Sequence, residues 1–431
     1  MKKNTGAIGV MAALAMALLV ACSQEAGGGA ADGKAVLRLT DDPTGGAHAV
    51  NERLARMFTE HTGIGVEFVP APSSATDRLA LYLQFLGARS SDVDVYQIDV
   101  IWPGILAEHM VDLRPSFQDD LTGHFAPIVE NNTVGDKLVA VPWFADAGIL
   151  YCRTDLLEKY GFDAPPETWD DLERMARTIQ EGERAAGNKD FWGYVWQGSA
   201  YEGLTCNVVE WLASSGAGSI VEPDGTVSID SPEAAHAIAR AAGWVNTISP
   251  PGVTTYKEEE ARHVFHTGQA AFMRNWPYAY TLMQAEDSAV RDKFDVCVLP
   301  GEKGEHAAAL GGWQLAVSAY SAHREEAIEL VKFLSSPEAQ KARALDASLL
   351  PSRTRLYDDP EIAAAIPFFP AMKEVFTNAA PRPSTVTGED YNQVSTIVFQ
   401  NVNRVLSGQT DAKTAVSKIG TELEKVMERS R

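Results

Sequence analysis

Val36-Leu37-Arg38-Leu39-Thr40 alternates as a strand does. Ala49 to Thr59 follows, with Val50, Leu54, Met57 and Phe58 at helical spacing. Val66-Glu67-Phe68-Val69 reads as the next strand, Arg78 to Leu86 as a helix, and Val93-Asp94-Val95-Tyr96-Gln97-Ile98 as a third strand. Strand, helix, strand, helix, strand in that order predicts a parallel sheet with helices on both faces, the α/β class. Open parallel sheets place ligands at the carboxyl ends of their strands. Asp99 follows the third strand at such an end.

Further along, helix starts are marked by their caps. Thr168 precedes Trp169, Leu172, Met175, Ala176 and Ile179, with Asp171 as a first-turn acid. Ser231-Pro232-Glu233 and Ser336-Pro337-Glu338 each set a capping hydroxyl before a proline at the first helical position. Asp411 to Arg431 is a last amphipathic helix, with Ala415, Ile419, Leu423 and Val426 on one stripe. Two lobes are expected. The first covers 34–143 and about 290–340; the second, helix-rich, covers 146–289 and about 345–431. The strand-like Asp295 to Leu299 and the segment Gly311 to Val317 are expected to return to the first lobe. More than one crossover then leaves a cleft with a hinge beneath it.

The chain opens with Lys2 and Lys3, then an uncharged apolar run from Gly6 to Val20. That run is shorter than the ~20 residues of a membrane span and fits a signal peptide, residues 1–21. It ends in Leu19-Val20-Ala21-Cys22, the pattern of a bacterial lipobox, so Cys22 is expected to carry the lipid. The Gly/Ala-rich segment up to Gly33 cannot build a core and is expected to act as a tether. The protein is thus expected outside the cytoplasm, anchored to the cell envelope. No later apolar run approaches membrane length.

Roughly 400 residues remain, more than one core usually holds. The net charge of −21 argues against nucleic acid, which is held by basic patches. With Cys22 used for the lipid, Cys152, Cys206 and Cys297 are left; buried free thiols are expected, with one disulfide among the three as the alternative. There is no CxxC or HExxH spacing, so no metal is expected, and no cofactor.

Three aromatic sites stand beside glycine or proline: Trp102-Pro103-Gly104, Asn275-Trp276-Pro277-Tyr278 and Gly311-Gly312-Trp313. They are expected on loops or element ends. A flat indole next to polar groups suits the C–H face of a sugar ring. Carboxylates and arginine complete such a receptor through charge-assisted hydrogen bonds. Asp99, Asp146 in Trp143-Phe144-Ala145-Asp146-Ala147-Gly148, and Arg382 in Pro381-Arg382-Pro383 are the candidates. A glycosidase needs two carboxyls about 5–10 Å apart, a pairing that no spacing here marks. No GxSxG, P-loop or GxGxxG is present, and no catalytic residue is expected.

These segments resemble a family. Pro165 to Trp169, Phe191 to Gly198, Tyr201-Glu202-Gly203-Leu204, Arg274 to Ala279, Leu310-Gly311-Gly312-Trp313 and Pro381-Arg382-Pro383 are similar to the substrate-binding lipoproteins of carbohydrate ABC importers, most of all the trehalose/maltose-binding group. The likeness spans nearly the whole mature chain. It implies a class II periplasmic-binding-protein-like, Venus-flytrap fold and a monomeric receptor. Its ligand would be an α-linked glucose disaccharide, delivered to permease subunits with their cytoplasmic ATPase. Residue by residue, it implies that Asp99 and Asp146 hold glucose hydroxyls and Arg78 reaches the sugar. Trp276, Tyr278 and Trp313 would stack on the rings, with the Gly312 backbone beside the ligand and Arg382 clamping from the second lobe. Phe144 would line the crossover where relatives carry Tyr. The first loop, Asp41 to His48, departs from the relatives' pattern, and Asp42, Thr44 or His48 would stand in for their Glu. Another α-glucoside such as sucrose, or a carbohydrate-sensing role, is the alternative; a hydrolase is the remaining one.

Overall fold

The computed structural model describes residues 35–41, 46–302, 305–377 and 379–429. The leader, Cys22 and Asp42 lie outside the described residues. Two sheets form the frame. In the first, Gly65–Pro70, Val36–Asp41, Val95–Asp99, Leu310–Val317 and Val141–Ala147 lie side by side in that order. The first three are parallel, as the opening alternation of strands and helices predicts. Leu310–Val317 runs antiparallel to both of its neighbours. In the second sheet the order is Asp295–Cys297, Ile149–Cys152, Ala270–Asn275, Trp192–Val195. Each sheet is buried between helices, because its strands are apolar on both faces. This is the two-lobe class II fold.

The capping signals work as read. Thr168 accepts from the Asp171 N–H, Ser231 from that of Ala234 and Ser336 from that of Ala339. The final helix, Ala412–Arg429, buries Ala415, Ile419, Leu423 and Val426 against Tyr391–Leu406 and Pro232–Trp244. Among the described residues no helix is long and apolar enough to cross a membrane.

Three expectations are corrected. Asp295–Cys297 does not return to the first lobe: it pairs antiparallel with Ile149–Cys152 in the second sheet. A three-residue edge strand carries too little pattern to say which sheet it joins. The sulfurs of Cys152 and Cys297 are paired across that edge, with Cα atoms 7.1 Å apart, so only Cys206 is a free buried thiol among the described cysteines. Trp313 is not on a loop or at an element end but inside Leu310–Val317, where the register shifts just after it. The neighbouring Gly312 sits at φ +115°, and a Cβ there would fall 2.5 Å from the Phe144 carbonyl oxygen. The glycines thus permit a bulged strand rather than break it.

The chain passes from one sheet to the other between Ala147 and Ile149. Gly148 is required at that step, since a Cβ would lie 1.9 Å from Glu210 Oε1. Glu210 belongs to a fully buried ion pair with Arg274, whose Nε donates to Oε2 at 3.0 Å. Glu210 also accepts the N–H of Ala309 on the second crossover, at 3.2 Å. One buried pair therefore sits under both crossing strands.

Candidate functional site

A cleft of about 230 Å³ opens between the two sheets. A single water needs only ~10–15 Å³, so there is room for a small organic molecule. Arg78, Asp99, Phe144, Asp146, Trp276, Tyr278, Gly312, Trp313 and Arg382 all line it. These are nine of the ten residues singled out from the sequence as ligand-binding. The tenth, Asp42, falls outside the described residues.

Each is placed by a local cause. Asp99 ends its strand and Asp146 lies near the end of another, and both stand at the cleft side of the first sheet. Arg78 is in the first turn of Ala75–Gly87, a helix capped by Ser74. Its Nε donates to the Pro72 carbonyl at 2.7 Å, and its guanidinium lies 4.4 Å from the Trp313 ring centre. Trp276 follows the strand Ala270–Asn275, with the Arg274 guanidinium 4.0 Å from its ring centre. Its Nε1 donates to Glu258 Oε1 at 3.3 Å. Each indole is half-buried, with one face against an arginine. Tyr278 is oriented by donating its hydroxyl to Glu259 Oε1 at 2.7 Å.

Arg382 joins the two lobes. Its Nη2 donates to Asp99 Oδ1 at 3.0 Å and its Nη1 to Glu202 Oε1 at 2.8 Å. The side chain is 2% exposed, so both ion pairs are shielded from solvent. Asp146 is different. It is 6% exposed, and its Oδ1 has no hydrogen-bond partner among the described residues. Burial, and next the neighbouring Asp99 carboxylate, push its carboxyl up to about 8, against the pull of Arg343 and Arg274. Arg343 lies behind the cleft wall, 3.4 Å from the Trp143 ring centre and 4.8 Å from that of Phe144. Burial pulls its guanidinium down to about 9.

Chemically, the cleft offers carboxylate acceptors, a fixed guanidinium and two indole faces. Trp102, which the sequence put beside them, is 1% exposed and packs its edge on Trp313 as core. Sequence reasoning missed Tyr201, Glu202, Lys257 and Glu258 as lining residues. Tyr201-Glu202-Gly203 stood in the quoted likeness, and that was the available signal.

The model of the bacterial extracellular solute-binding protein family matches residues 41–341. The chain belongs to that family. A probable ABC transporter-binding protein of Deinococcus radiodurans is 49% identical over 374 residues, 86% of this chain and 89% of its own length. The solved structure of maltose-bound T. maritima MalE3 is 39% identical, with a TM-score of 0.86, covering 91% of this chain and 99% of that one. An Agrobacterium vitis solute-binding protein with bound D-mannitol has the same fold at 22% identity and a TM-score of 0.78, over 92% of this chain and 99% of that one. Such proteins are ABC-transporter receptors and not enzymes. The family is extracellular or periplasmic.

Proposed function

We propose that this solute-binding protein captures an α-linked glucose disaccharide of the trehalose/maltose class by lobe closure and delivers it to the permease of an ABC sugar importer. The observation that carries the reading is the convergence of Trp276 and Trp313 with Asp99, Asp146 and Arg382 in one interlobe cleft. Indoles take the C–H faces of sugar rings, and charged groups take the hydroxyls. The 39% identical T. maritima protein, solved with maltose, supports the same substrate class. Ligand bridging both lobes shifts the open/closed equilibrium by its differential contacts with the closed form. The test is isothermal calorimetry against trehalose, maltose, sucrose and mannitol. Heat with an α-glucoside is expected; heat with mannitol alone, or with none of the four, would refute the reading.

The lipobox-like end of the leader supports a lipid on Cys22, with the tether up to Gly33 keeping the receptor near the membrane. In a bacterial host that lipidates exported proteins, Cys22→Ser is expected to release the protein from the membrane fraction. Unchanged fractionation would refute the anchor.

A further inference from the structure

We propose that Glu202 couples closure of the lobes to the ligand end of the cleft, with Thr76 of the opposite lobe as its latch. The proposal rests on the reading of the cleft as a sugar site, but half of its test does not.

Glu202 is the first residue of the helix Glu202–Ser214 in the second lobe. The first N–H groups of a helix have no partner within it. Tyr201, at the capping position, makes no side-chain cap. The Glu202 N–H donates instead to Thr76 Oγ1, at 3.2 Å, in the first turn of a first-lobe helix. One residue further, Asp77 Oδ2 lies 3.2 Å from Lys257 Nζ, again one partner from each lobe. The opposite lobe thus supplies a cap that this helix does not make for itself.

The side chain of the same residue faces inward. Its Oε1 accepts Arg382 Nη1 and, at 2.6 Å, the Tyr391 hydroxyl; its Oε2 accepts the Ser395 hydroxyl, also at 2.6 Å. Arg382 then reaches Asp99 of the first lobe. Glu202 is therefore tied to the first lobe twice, by its backbone through Thr76 and by its carboxylate through Arg382. Tyr391 heads the helix Tyr391–Leu406 but buries its side chain in the first lobe's core beside Tyr96 and Trp102, so only the bond to Ser395 stays inside the second lobe. When the lobes part, the Ser395 bond keeps the carboxylate in place, while the Thr76 cap is lost. A contact present only in the closed form is what biases closure. Glu202 is a positioning residue in this scheme, acting on ligand through Arg382.

Thr76→Val keeps shape and removes the accepting hydroxyl. With maltose as probe and stopped-flow tryptophan fluorescence, it is expected to speed dissociation about three- to ten-fold, the worth of one helix cap, with association unchanged. Glu202→Gln is expected to weaken maltose binding about ten-fold or more. Ser395→Ala, which loses the holding bond within the second lobe, should move affinity the same way by less. Small-angle scattering on sugar-free protein should give Thr76→Val a larger radius of gyration than wild type. Unchanged dissociation and unchanged scattering in Thr76→Val overturn the latch, even if Glu202→Gln binds weakly. Should wild type bind neither maltose nor trehalose, the substrate reading falls, and the sugar-free scattering alone still decides the latch.

Discussion

Asp146→Asn is expected to stabilise the sugar-free protein near neutral pH while weakening sugar capture. The wild-type carboxyl is buried, has an oxygen without a partner among the described residues, and titrates at about 8 instead of 3.8. A raised folded pKa means that the native state binds the proton more tightly than the unfolded chain. Below about pH 4 both states are protonated and the group costs nothing. From there to about pH 8 the unfolded chain is ionised while the native one is not, and each pH unit costs the fold about 1.4 kcal/mol. At pH 7 the loss reaches roughly 4 kcal/mol as an upper figure. Asn has the shape of the neutral acid and does not titrate. Calorimetric melting of both proteins at pH 5, 6, 7 and 8 should therefore show a stability gap in favour of Asn that widens with pH. In the same variant, titration with the preferred disaccharide should be weaker by about ten-fold or more, since an amide cannot ionise to accept a charge-assisted hydrogen bond from a sugar hydroxyl. A gap that stays constant from pH 5 to 8, or that narrows, would refute the reasoning, because only the carboxyl's titration makes it grow.

Trp276→Ala and Trp313→Ala should each weaken sugar binding by roughly 30-fold or more in calorimetry, with circular dichroism unchanged, because each indole is only half-buried at the cleft wall. Affinity retained in both would make them packing residues. Arg274→Ala strands the Glu210 carboxylate, 1% exposed, under both crossovers and should cost about 3–5 kcal/mol in urea unfolding; a loss within ~0.5 kcal/mol would deny the pair that role. In protein starting at Lys34, alkylation after denaturation should label one thiol, Cys206, without reductant and three with it. Reduction should lower the melting temperature, by up to ~5 kcal/mol of stability for so long a loop of 145 residues. Three thiols labelled without reductant would show that Cys152 and Cys297 are unpaired.

Local pattern alone determined much of this molecule. The alternation in Val36 to Ile98 sets three parallel strands and their intervening helices, because side-chain period reports which face of each element is buried. The hydroxyl–proline pairs at Ser231 and Ser336 set helix starts, because a cap is satisfied within four residues. Asp99 was readable as a site residue from its place at a strand end, and the other eight lining residues from their chemistry and the family likeness. What only the tertiary structure decided depends on pairs far apart in the chain. The sheet joined by Asp295–Cys297, and with it the Cys152–Cys297 pairing, turns on an edge of three residues. Trp313 lies within a strand because Gly312 takes a positive φ and the register shifts just after Trp313, so the glycines do not end the strand. The raised Asp146 carboxyl arises from burial, which no spacing measures. Glu202 meets Arg382 across 180 residues and Arg382 meets Asp99 across 283. Periodicity reports the face a residue presents; which partner stands opposite that face is settled only when the lobes pack.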